Sequence, residues 1–381
     1  MTIATIATAP SVYEELGVTP LINACGHKTV LGGSTPSPAV KAAMERADAW
    51  YVDMPELLER AGRAVAGLLG AEAATITPGC AAAMALGAAA CVAGDDPALI
   101  ARLPHTGGLK DQVVIQAGQR YHYEHVVTIV GTTLVAAGDD NGTSVAQLAA
   151  ALGPRTAAVL YPAHLEGAGG ALSLAEVLEV AHDKGVPVLV DAAGQVYPLE
   201  RFTGYARMGA DLVCFGAKYL GAPQSTGILC GRRDLVAAAA RQGFIGFETS
   251  SRGRAFGRPF KLDRQEIVAV VAALQEWMSS DHAARLAGYE ARLGAIARAV
   301  EGAPGVAWDL VRGVGANPRL LRIRLDPATA RLDAARATAA LRTGRPAIAV
   351  GGETGALLVH PGTLAPGQEA IVAARLRELL A

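Results

Sequence analysis

A carboxylate and an amine stand near the ends of two apolar segments in the middle of the chain. Asp191 ends the apolar run that starts at Val188, and Lys218 lies in a glycine-rich turn after a second apolar segment. Lys218 is the only charged residue between Asp211 and Arg232, and a lysine among small apolar residues usually has a partner. A lysine amine forms Schiff bases with aldehydes, and a carboxylate keeps a pyridine nitrogen protonated. The pair predicts a pyridoxal phosphate (PLP) site, although an aspartate at this place is also common as a helix cap.

A third segment suits the phosphate group of such a cofactor. Residues 74–84 run from an apolar strand through a Pro-Gly turn directly into a helix of small residues. The backbone N–H groups of Gly79, Cys80 and Ala81 at the helix start, with the positive end of the helix dipole, favour an anion. Any α/β unit has a turn of this kind, so the prediction depends on the lysine and the carboxylate beside it.

The elements that must position these groups alternate between strands and helices. Several of the predicted strands are continuously apolar, as strands covered on both faces are. These patterns predict an α/β fold with a mostly parallel, seven-stranded sheet wrapped by helices. The predicted strands of that sheet are Ala74–Thr77, Val113–Ala117, Thr133–Ala137, Ala157–Tyr161, Val186–Val190, Leu212–Phe215 and Gly227–Cys230.

Helical periodicity appears on both sides of the predicted sheet strands. A long amphipathic helix from Gln265, predicted to continue past Ser279, leads into a small α+β region. We predict three parts: an N-terminal arm and helix in residues 1–60, a large cofactor-binding domain in 61–250, and a small C-terminal domain in 251–381. The other predicted helices cover 36–71 with a break at 53–55, 81–92, 174–183 and 368–380, and the predicted late strands are Leu320–Leu325, Ala347–Val350 and Ala356–Val359.

Composition excludes several classes of protein. A chain of 381 residues supports two cores, and its formal net charge of −1 gives no field for holding a nucleic acid. Neither a disulfide framework nor a metal site is expected from five cysteines without a C-x-x-C pair. The first ten residues do not form a secretory signal, and no segment is apolar enough to span a bilayer, so we expect a cytoplasmic protein. The cysteines are Cys25, Cys80, Cys91, Cys214 and Cys230.

Motifs along nearly the whole chain resemble one family. The chain is similar to the selenocysteine synthase (L-seryl-tRNA selenium transferase)-like branch of the fold type I PLP-dependent enzymes, whose fold is that of aspartate aminotransferase. Within that branch it resembles most the D-glucosaminate-6-phosphate ammonia-lyase group. The motifs that carry the resemblance are Leu21–Gly26, Leu31–Ser34, Tyr51–Leu57, Gly70–Ala73, Asp191–Gly194, Lys218 with Gly221–Gly227, and Gly257–Lys261.

The resemblance implies roles for individual residues. Lys218 would form the Schiff base with the cofactor, Asp191 would pair with its pyridinium nitrogen, and residues 79–81 would hold its phosphate. Relatives often place a hydroxyl residue shortly before the lysine, where this chain has Phe215, so another donor must serve. The resemblance also implies a homodimer or larger homo-oligomer with active sites at the subunit interface. Further cofactor contacts are expected from Gln195, Gln224, Ser225 and Thr226.

Three loops are candidates for contact with the substrate. Arg120 and His122 follow a strand, and an imidazole or tyrosine from this segment (His122, His125 or Tyr121) could stack on the cofactor ring. His164 and Glu166 follow another strand and form either an acid–base pair or a solvated loop. A substrate carboxylate favours a bidentate arginine, but the late strand where many relatives carry one reads Ala349-Val-Gly-Gly352. The remaining candidates are Arg258 and Lys261, with Arg252 and Arg254 nearby, unless these residues form only a solvated basic rim.

These residues lead to a predicted reaction on a small amino-group substrate. The substrate amine displaces Lys218 to give an external aldimine, the freed lysine takes the Cα proton, and the quinonoid carbanion expels a β-substituent, as in an ammonia-lyase. Transamination, aldol cleavage, racemisation, β-replacement and O2-dependent oxidation remain alternatives. Selenium transfer to a tRNA is disfavoured by the lack of a basic surplus, and a nicotinamide dehydrogenase by the lack of a GxGxxG motif. A catalytically silent partner protein is the alternative of a different class, which retention of a costly buried lysine opposes.

Overall fold

Two compact units make up the chain. The computed structural model describes residues 11–250, 254–313 and 319–381. One unit, called the large unit here, consists of residues 34–280, and the other, the small unit, combines the residues up to 33 with residues 281–381. The strands are β1 (Leu21–Ala24), β2 (Ala73–Thr77), β3 (Gln112–Gln116), β4 (Thr133–Ala137), β5 (Thr156–Pro162), β6 (Val188–Asp191), β7 (Leu212–Gly216), β8 (Gly227–Gly231), β9 (Val306–Arg312), β10 (Arg319–Leu325), β11 (Ala347–Glu353) and β12 (Ala356–Val359).

The helices connect and cover these strands. Serine and aspartate side chains cap several of them, with capping boxes at Ser144, Ser173 and Asp263. The helices are α1 (Val12–Glu15), α2 (Pro38–Asp48), α3 (Met54–Leu69), α4 (Gly79–Ala93), α5 (Pro97–Ile100), α6 (Val145–Ala151), α7 (Leu174–Asp183), α8 (Leu199–Phe202), α9 (Gly204–Arg207), α10 (Arg233–Gln242), α11 (Phe244–Thr249), α12 (Arg264–Ser279), α13 (His282–Val300), α14 (Ala334–Thr343) and α15 (Gln368–Leu380).

A seven-stranded sheet forms the centre of the large unit. Its strand order is β2-β8-β7-β6-β5-β3-β4, and every neighbouring pair is parallel except the two pairs that β8 makes. The predicted α/β class and the mostly parallel seven-stranded sheet are therefore confirmed. All residues of β5, β6, β7 and β8 are buried, which explains why their sequences are continuously apolar.

Small side chains allow one helix to lie deep in this unit. Eleven of the fifteen residues of α4 are buried, and the helix is apolar on all sides, as a helix surrounded by protein must be. A Cβ atom at Gly87 would come within 3.0 Å of a Leu189 methyl group, so α4 and the sheet pack closely there. The alanine-rich sequence of α4 thus fixes the first residues of that helix beside the carboxyl ends of the strands.

A second sheet belongs to the small unit. Its order is β1-β11-β12-β10-β9, with β1 parallel to β11 and the other pairs antiparallel. Leu321 and Ile323 of β10 are among the fully buried residues of its core, together with residues of α13 and α15. β1 and β9 were not predicted as strands. Only the pairing of β1 with the distant β11 makes the four-residue segment a strand, and β9 is mostly exposed.

The unit boundaries differ from the predicted division at residues 60 and 250. The N-terminal segment joins the small unit because β1 pairs with β11, and α2, α3 and α12 join the large unit because they pack against one another. α12 ends at Ser279, so the predicted continuation past that residue is replaced by a turn and the separate helix α13. Residues 1–10 and Arg252, on which two predictions rest, lie outside the described residues. In the part of the chain that the structure describes, no helix has the length and apolar character needed to cross a membrane.

The contact between α3 and β2 depends on a glycine. A Cβ atom at Gly62 would lie 2.2 Å from the carbonyl oxygen of Ala74, whereas a Cβ atom at Gly67 of the same helix meets nothing within 4 Å. We expect Gly62→Ala to lower the free energy of unfolding by roughly 1–3 kcal/mol because the helix must move off the strand. Gly67→Ala, the matched control, should raise it by up to about 1 kcal/mol through helix propensity. Denaturant unfolding of both variants measures the difference; equal effects would contradict the close approach.

Candidate active site

The carboxylate of Asp191 collects donors from three separate segments. Asp191 ends β6 and is 4% exposed. Its Oδ2 accepts a hydrogen bond from the Tyr121 hydroxyl at 2.5 Å, and its Oδ1 accepts from the backbone N–H of Ala193 at 3.1 Å. The thiol of Cys80 is 3.5 Å from Oδ1. The carboxylate is therefore held in one orientation at the carboxyl end of the central strands.

Two of these donors keep their protons. Burial raises the pKa of the Tyr121 hydroxyl far above its ordinary value, and the negative charge of Asp191 raises it further. Burial likewise raises the pKa of the Cys80 thiol, again with Asp191 acting in the same direction. A phenol and a thiol that stay protonated can only donate to the carboxylate. The thiol of Cys80 is thus a hydrogen-bond donor here rather than a nucleophile.

Lys218 lies in a 3-10 turn, Ala217–Leu220, that follows β7 directly. The turn is fixed by a hydrogen bond from the Ala217 N–H to the Thr226 carbonyl, 2.9 Å, and ends at Gly221 with φ +89°. The amine lies 5.3 Å from the centre of the Tyr219 ring. Its positive charge acts on the thiol of Cys80 and partly offsets the rise in that thiol's pKa. Lys218 and Asp191 therefore both act on Cys80 and belong to one cluster.

The turn before α4 offers backbone donors without a side-chain cap. Pro78 is the N-cap residue and makes no side-chain capping bond, and Gly79 has φ +85°. A Cβ atom at Gly227 would lie only 2.4 Å from the Gly79 carbonyl carbon, so the start of β8 presses against this turn. Cys80 thus links three features of the site: it lies at the uncapped start of α4, its thiol is next to the buried carboxylate of Asp191, and the charge of Lys218 acts on it. This donor set fits PLP: residues 79–81 would hold the phosphate, Asp191 the ring nitrogen and Lys218 the aldehyde carbon.

The other predicted cofactor residues occupy the turns around this cluster. Gln195 follows β6 and is buried. The Oε1 atom of Gln224 is buried, and no donor within the described ranges reaches it. The hydroxyl of Thr226 donates to the Pro223 carbonyl at 2.7 Å, and that of Ser225 donates to Glu266. Their predicted contacts with the cofactor remain predictions.

Two of the predicted substrate arginines are engaged in ion pairs. Arg120 makes a bidentate pair with the buried Glu124, 2.8 and 2.7 Å from its Nε to the two carboxylate oxygens. Arg258 pairs with Glu248 at 2.8 Å. Lys261 is exposed. The structure therefore places neither arginine as a free receiver of a substrate carboxylate.

The histidine and glutamate after β5 are separated by their contacts. Glu166 binds Arg201 at 2.6 Å, so it does not form the acid–base pair with His164 that was one of the two interpretations. The His164 ring instead lies 5.3 Å from the Tyr121 ring, edge to face. Burial lowers the pKa of His164 below its ordinary value, while the charge of Asp191 partly opposes this. His164 therefore belongs to the Asp191 cluster.

Tyr121 is the residue of the segment after β3 that contacts Asp191. The sequence alone did not distinguish it from His122 and His125. His122, the residue predicted from that segment, is exposed, and its ring centre lies 5.2 Å from that of Tyr123. The signal for Tyr121 was its position after β3, among loops that converge at the carboxyl ends of strands. The contribution of the Cys80 side chain had no sequence signal beyond its place at the helix start. Among the described residues, no group of three or more His, Cys, Asp or Glu side chains could hold a metal ion.

The chain is similar in sequence and in structure to known proteins. The family model described as "SelA: L-seryl-tRNA selenium transferase" matches residues 39–245. A 5'-C-glycyluridine monooxygenase-decarboxylase from Streptomyces sp is 34% identical over 97% of this chain and 92% of its own. A D-glucosaminate-6-phosphate ammonia lyase from Salmonella typhimurium is 31% identical over 97% and 98%. A solved structure of D-glucosaminate-6-phosphate ammonia-lyase superposes with a TM-score of 0.84 at 30% identity, covering 98% of both chains.

These matches span more than half of the chain in the family model and almost all of it in the relatives. The predicted resemblance is confirmed. The architecture is that of the fold type I enzymes, and the cofactor is PLP. The chain therefore belongs to the SelA, L-seryl-tRNA selenium transferase, family and is a PLP-dependent enzyme.

Proposed function

We propose that this enzyme is an ammonia-lyase, which releases ammonia from a β-hydroxylated amino acid by α,β-elimination. The supporting observation is the match to D-glucosaminate-6-phosphate ammonia-lyase over 98% of both chains, with a TM-score of 0.84. D-Glucosaminate 6-phosphate is accordingly the first substrate to test. The net reaction takes out one water and restores it on hydrolysis, so each substrate gives one keto acid and one ammonia.

The chain's own residues divide the work around the cofactor. Bound PLP supplies an aldehyde that takes up amines and a ring that draws electrons from the bond to be broken. Asp191 would be the partner of the ring nitrogen, and Tyr121, Cys80 and Ala193 keep its carboxylate in place. Lys218 would hold the aldehyde, and its free amine would accept the proton from the substrate Cα. Gly79, Cys80 and Ala81 would hold the phosphate through their N–H groups.

His164 is suited to the first proton transfer. A substrate amine attacks only as the free base, so its ammonium form must lose a proton. The ring of His164 lies beside Tyr121, and its lowered pKa keeps it neutral at physiological pH. A neutral imidazole is a proton acceptor. We assign His164 as this base, with Glu166 and Arg201 fixing the loop that carries it.

A second candidate function rests on the 34% identity to the 5'-C-glycyluridine monooxygenase-decarboxylase. Such a reaction consumes dioxygen and releases carbon dioxide. The two candidates are distinguished by what they consume and release, because elimination releases ammonia and needs no oxygen.

Assembly and compartment complete the proposal. Trp50 and Tyr51 are 74% and 94% exposed just before α3, and apolar side chains exposed together mark interaction surfaces. This supports a homodimer or larger homo-oligomer, as the family resemblance implied. The five cysteines are all free, which is typical of a reducing compartment such as the cytoplasm.

The first prediction from the proposed function concerns the reaction itself. The PLP-loaded protein should release ammonia from D-glucosaminate 6-phosphate in the absence of oxygen, as measured with a coupled ammonia assay. Lys218→Ala should lose both the visible absorption of the lysine-bound cofactor and all turnover, because the Schiff-base amine is gone. Lys184→Ala, an exposed lysine after α7, is the matched control and should retain both. Oxygen uptake with 5'-C-glycyluridine and no ammonia release would favour the second candidate.

The second prediction concerns pH. If neutral His164 accepts the proton, kcat/KM falls as pH decreases through the lowered pKa of His164, so the acid limb has its midpoint below the ordinary value of about 6.5. His164→Gln should lower kcat/KM by roughly 10²-fold and remove that limb. His122→Gln, an exposed histidine of the neighbouring loop, should leave the profile unchanged. A limb that persists in the His164 variant would assign it to another group.

The third prediction concerns the support of Asp191. Tyr121→Phe keeps the ring but removes the donor 2.5 Å from a buried carboxylate, so it should lower the free energy of unfolding by about 1–3 kcal/mol at neutral pH. Tyr123→Phe, which alters an exposed hydroxyl two residues away, should change it by less than about 0.5 kcal/mol. Denaturant unfolding compares the two. Equal values would show that the hydroxyl of Tyr121 does not stabilise Asp191.

A further inference from the structure

A cluster of basic side chains lies at the end of β1 in the small unit. The backbone N–H of His360, which follows β12, donates to the carbonyl of Ala24, the last residue of β1, at 2.9 Å. This bond brings His360 next to residues 25–28, which include His27 and Lys28. The ring centres of His27 and His360 are 6.0 Å apart and nearly perpendicular. His27, Lys28 and His360 are called the basic cluster below.

The imidazole of His360 is held in one tautomer. Its Nδ1 accepts a hydrogen bond from the backbone N–H of Gly362 at 3.3 Å. In a neutral imidazole whose Nδ1 accepts, the proton is on Nε2, which is therefore a donor. The close approach of the ring requires Gly26, because a Cβ atom there would lie 2.8 Å from the His360 Cδ2 and the residue has φ +83°. The His360 ring thus occupies space that a side chain at position 26 would fill.

The turn that carries His27 and Lys28 is fixed as well. The Asn23 side chain donates to the Gly26 carbonyl at 3.0 Å and accepts from the Cys25 N–H at 2.9 Å. The Thr363 hydroxyl donates to the Asn23 carbonyl at 2.8 Å, which ties the turn to the segment after His360. On the neighbouring strand β11, a Cβ atom at Gly351 would lie 3.2 Å from the Leu358 Cβ and 4.0 Å from the Cys25 sulfur. The side chains of Asn23 and Thr363 thus fix the turn that carries His27 and Lys28.

The charges around His360 are of one sign. Burial lowers its pKa to about 3, and the two charged neighbours that add to this shift, His27 and Lys28, are both basic. The same potential acts on Cys25, where Lys28 and Arg342 oppose the rise in thiol pKa that burial causes. A partly buried group of donors under positive potential, with no carboxylate among the groups that shift His360, is electrostatically suited to an anion.

We propose that the basic cluster is an oxyanion-binding site for a carboxylate or phosphate group. Nε2 of His360 donates a neutral hydrogen bond, Lys28 supplies a positive charge from the solvent side, and His27 borders the ring of His360. Such groups bind oxyanions through charge-assisted hydrogen bonds. The anion is a free phosphate ion or a free carboxylate ion. The site stands on the geometry of the small unit and does not depend on which reaction the enzyme catalyses.

Titration with inorganic phosphate tests the site directly. In the PLP-loaded protein with labelled histidines, phosphate should shift the His360 and His27 ring signals saturably in NMR spectra, whereas chloride at equal ionic strength should not. Lys28→Met should weaken phosphate binding and raise the dissociation constant about tenfold, as expected for one lost charge-assisted bond. Arg312→Met, which removes an exposed positive charge from β9 at the opposite edge of the same sheet, should leave it unchanged. Since Lys28 is exposed, its variant should fold even where His360→Asn does not.

A parallel titration with acetate distinguishes the two kinds of anion. Saturable shifts with phosphate alone assign the site to phosphate, and saturable shifts with both anions assign it to oxyanions in general. Both results support the site. The titration decides the site whether or not the proposed reaction is found. Phosphate that produces no saturable shift, or equal weakening in Lys28→Met and Arg312→Met, would overturn the proposal.

Discussion

The burial of one carboxylate constrains much of the large unit. Asp191 is almost inaccessible to water at the end of an entirely apolar strand, where a carboxylate is costly unless it is hydrogen-bonded. Its donors come from the start of α4, from the loop after β3 and from the turn after β6. These segments are far apart in the chain, so the strand order of the sheet is what allows the carboxylate to be buried. The same convergence creates the cofactor site.

Close backbone approaches make this convergence possible. Gly227 lets the start of β8 touch the turn at Gly79, and Gly62 lets α3 lie on β2. The small residues of α4 permit that helix to be surrounded by protein on all sides. At Gly227 and Gly62 the absence of a side chain allows two backbone segments to touch. The high glycine and alanine content of the chain therefore has a structural cause at the positions where the site is assembled.

The ion pairs of the large unit limit how a substrate is recognised. Arg120, Arg201 and Arg258 each have a carboxylate partner, and breaking such a pair to receive a ligand would leave a carboxylate uncompensated. Neutral groups such as His164 and Tyr121 remain next to Asp191. In the small unit, by contrast, a backbone hydrogen bond orients the His360 ring, and the basic cluster has a positive potential. The small unit therefore offers basic groups for an anion, whereas these arginines of the large unit are already paired.

The sequence by itself determined the order of elements and the two chemical residues. Continuous apolar runs identified all seven strands of the large sheet to within two residues at each end, because strands buried on both faces need apolar side chains throughout. The isolated charges of Asp191 and Lys218 in such runs identified the cofactor chemistry. The tertiary structure alone decided the partners: that Tyr121 rather than His122 reaches Asp191, that Glu166 binds Arg201, and that β1 pairs with β11. Contacts of this kind depend on side-chain directions and on pairing between distant segments, and neither is encoded in local periodicity.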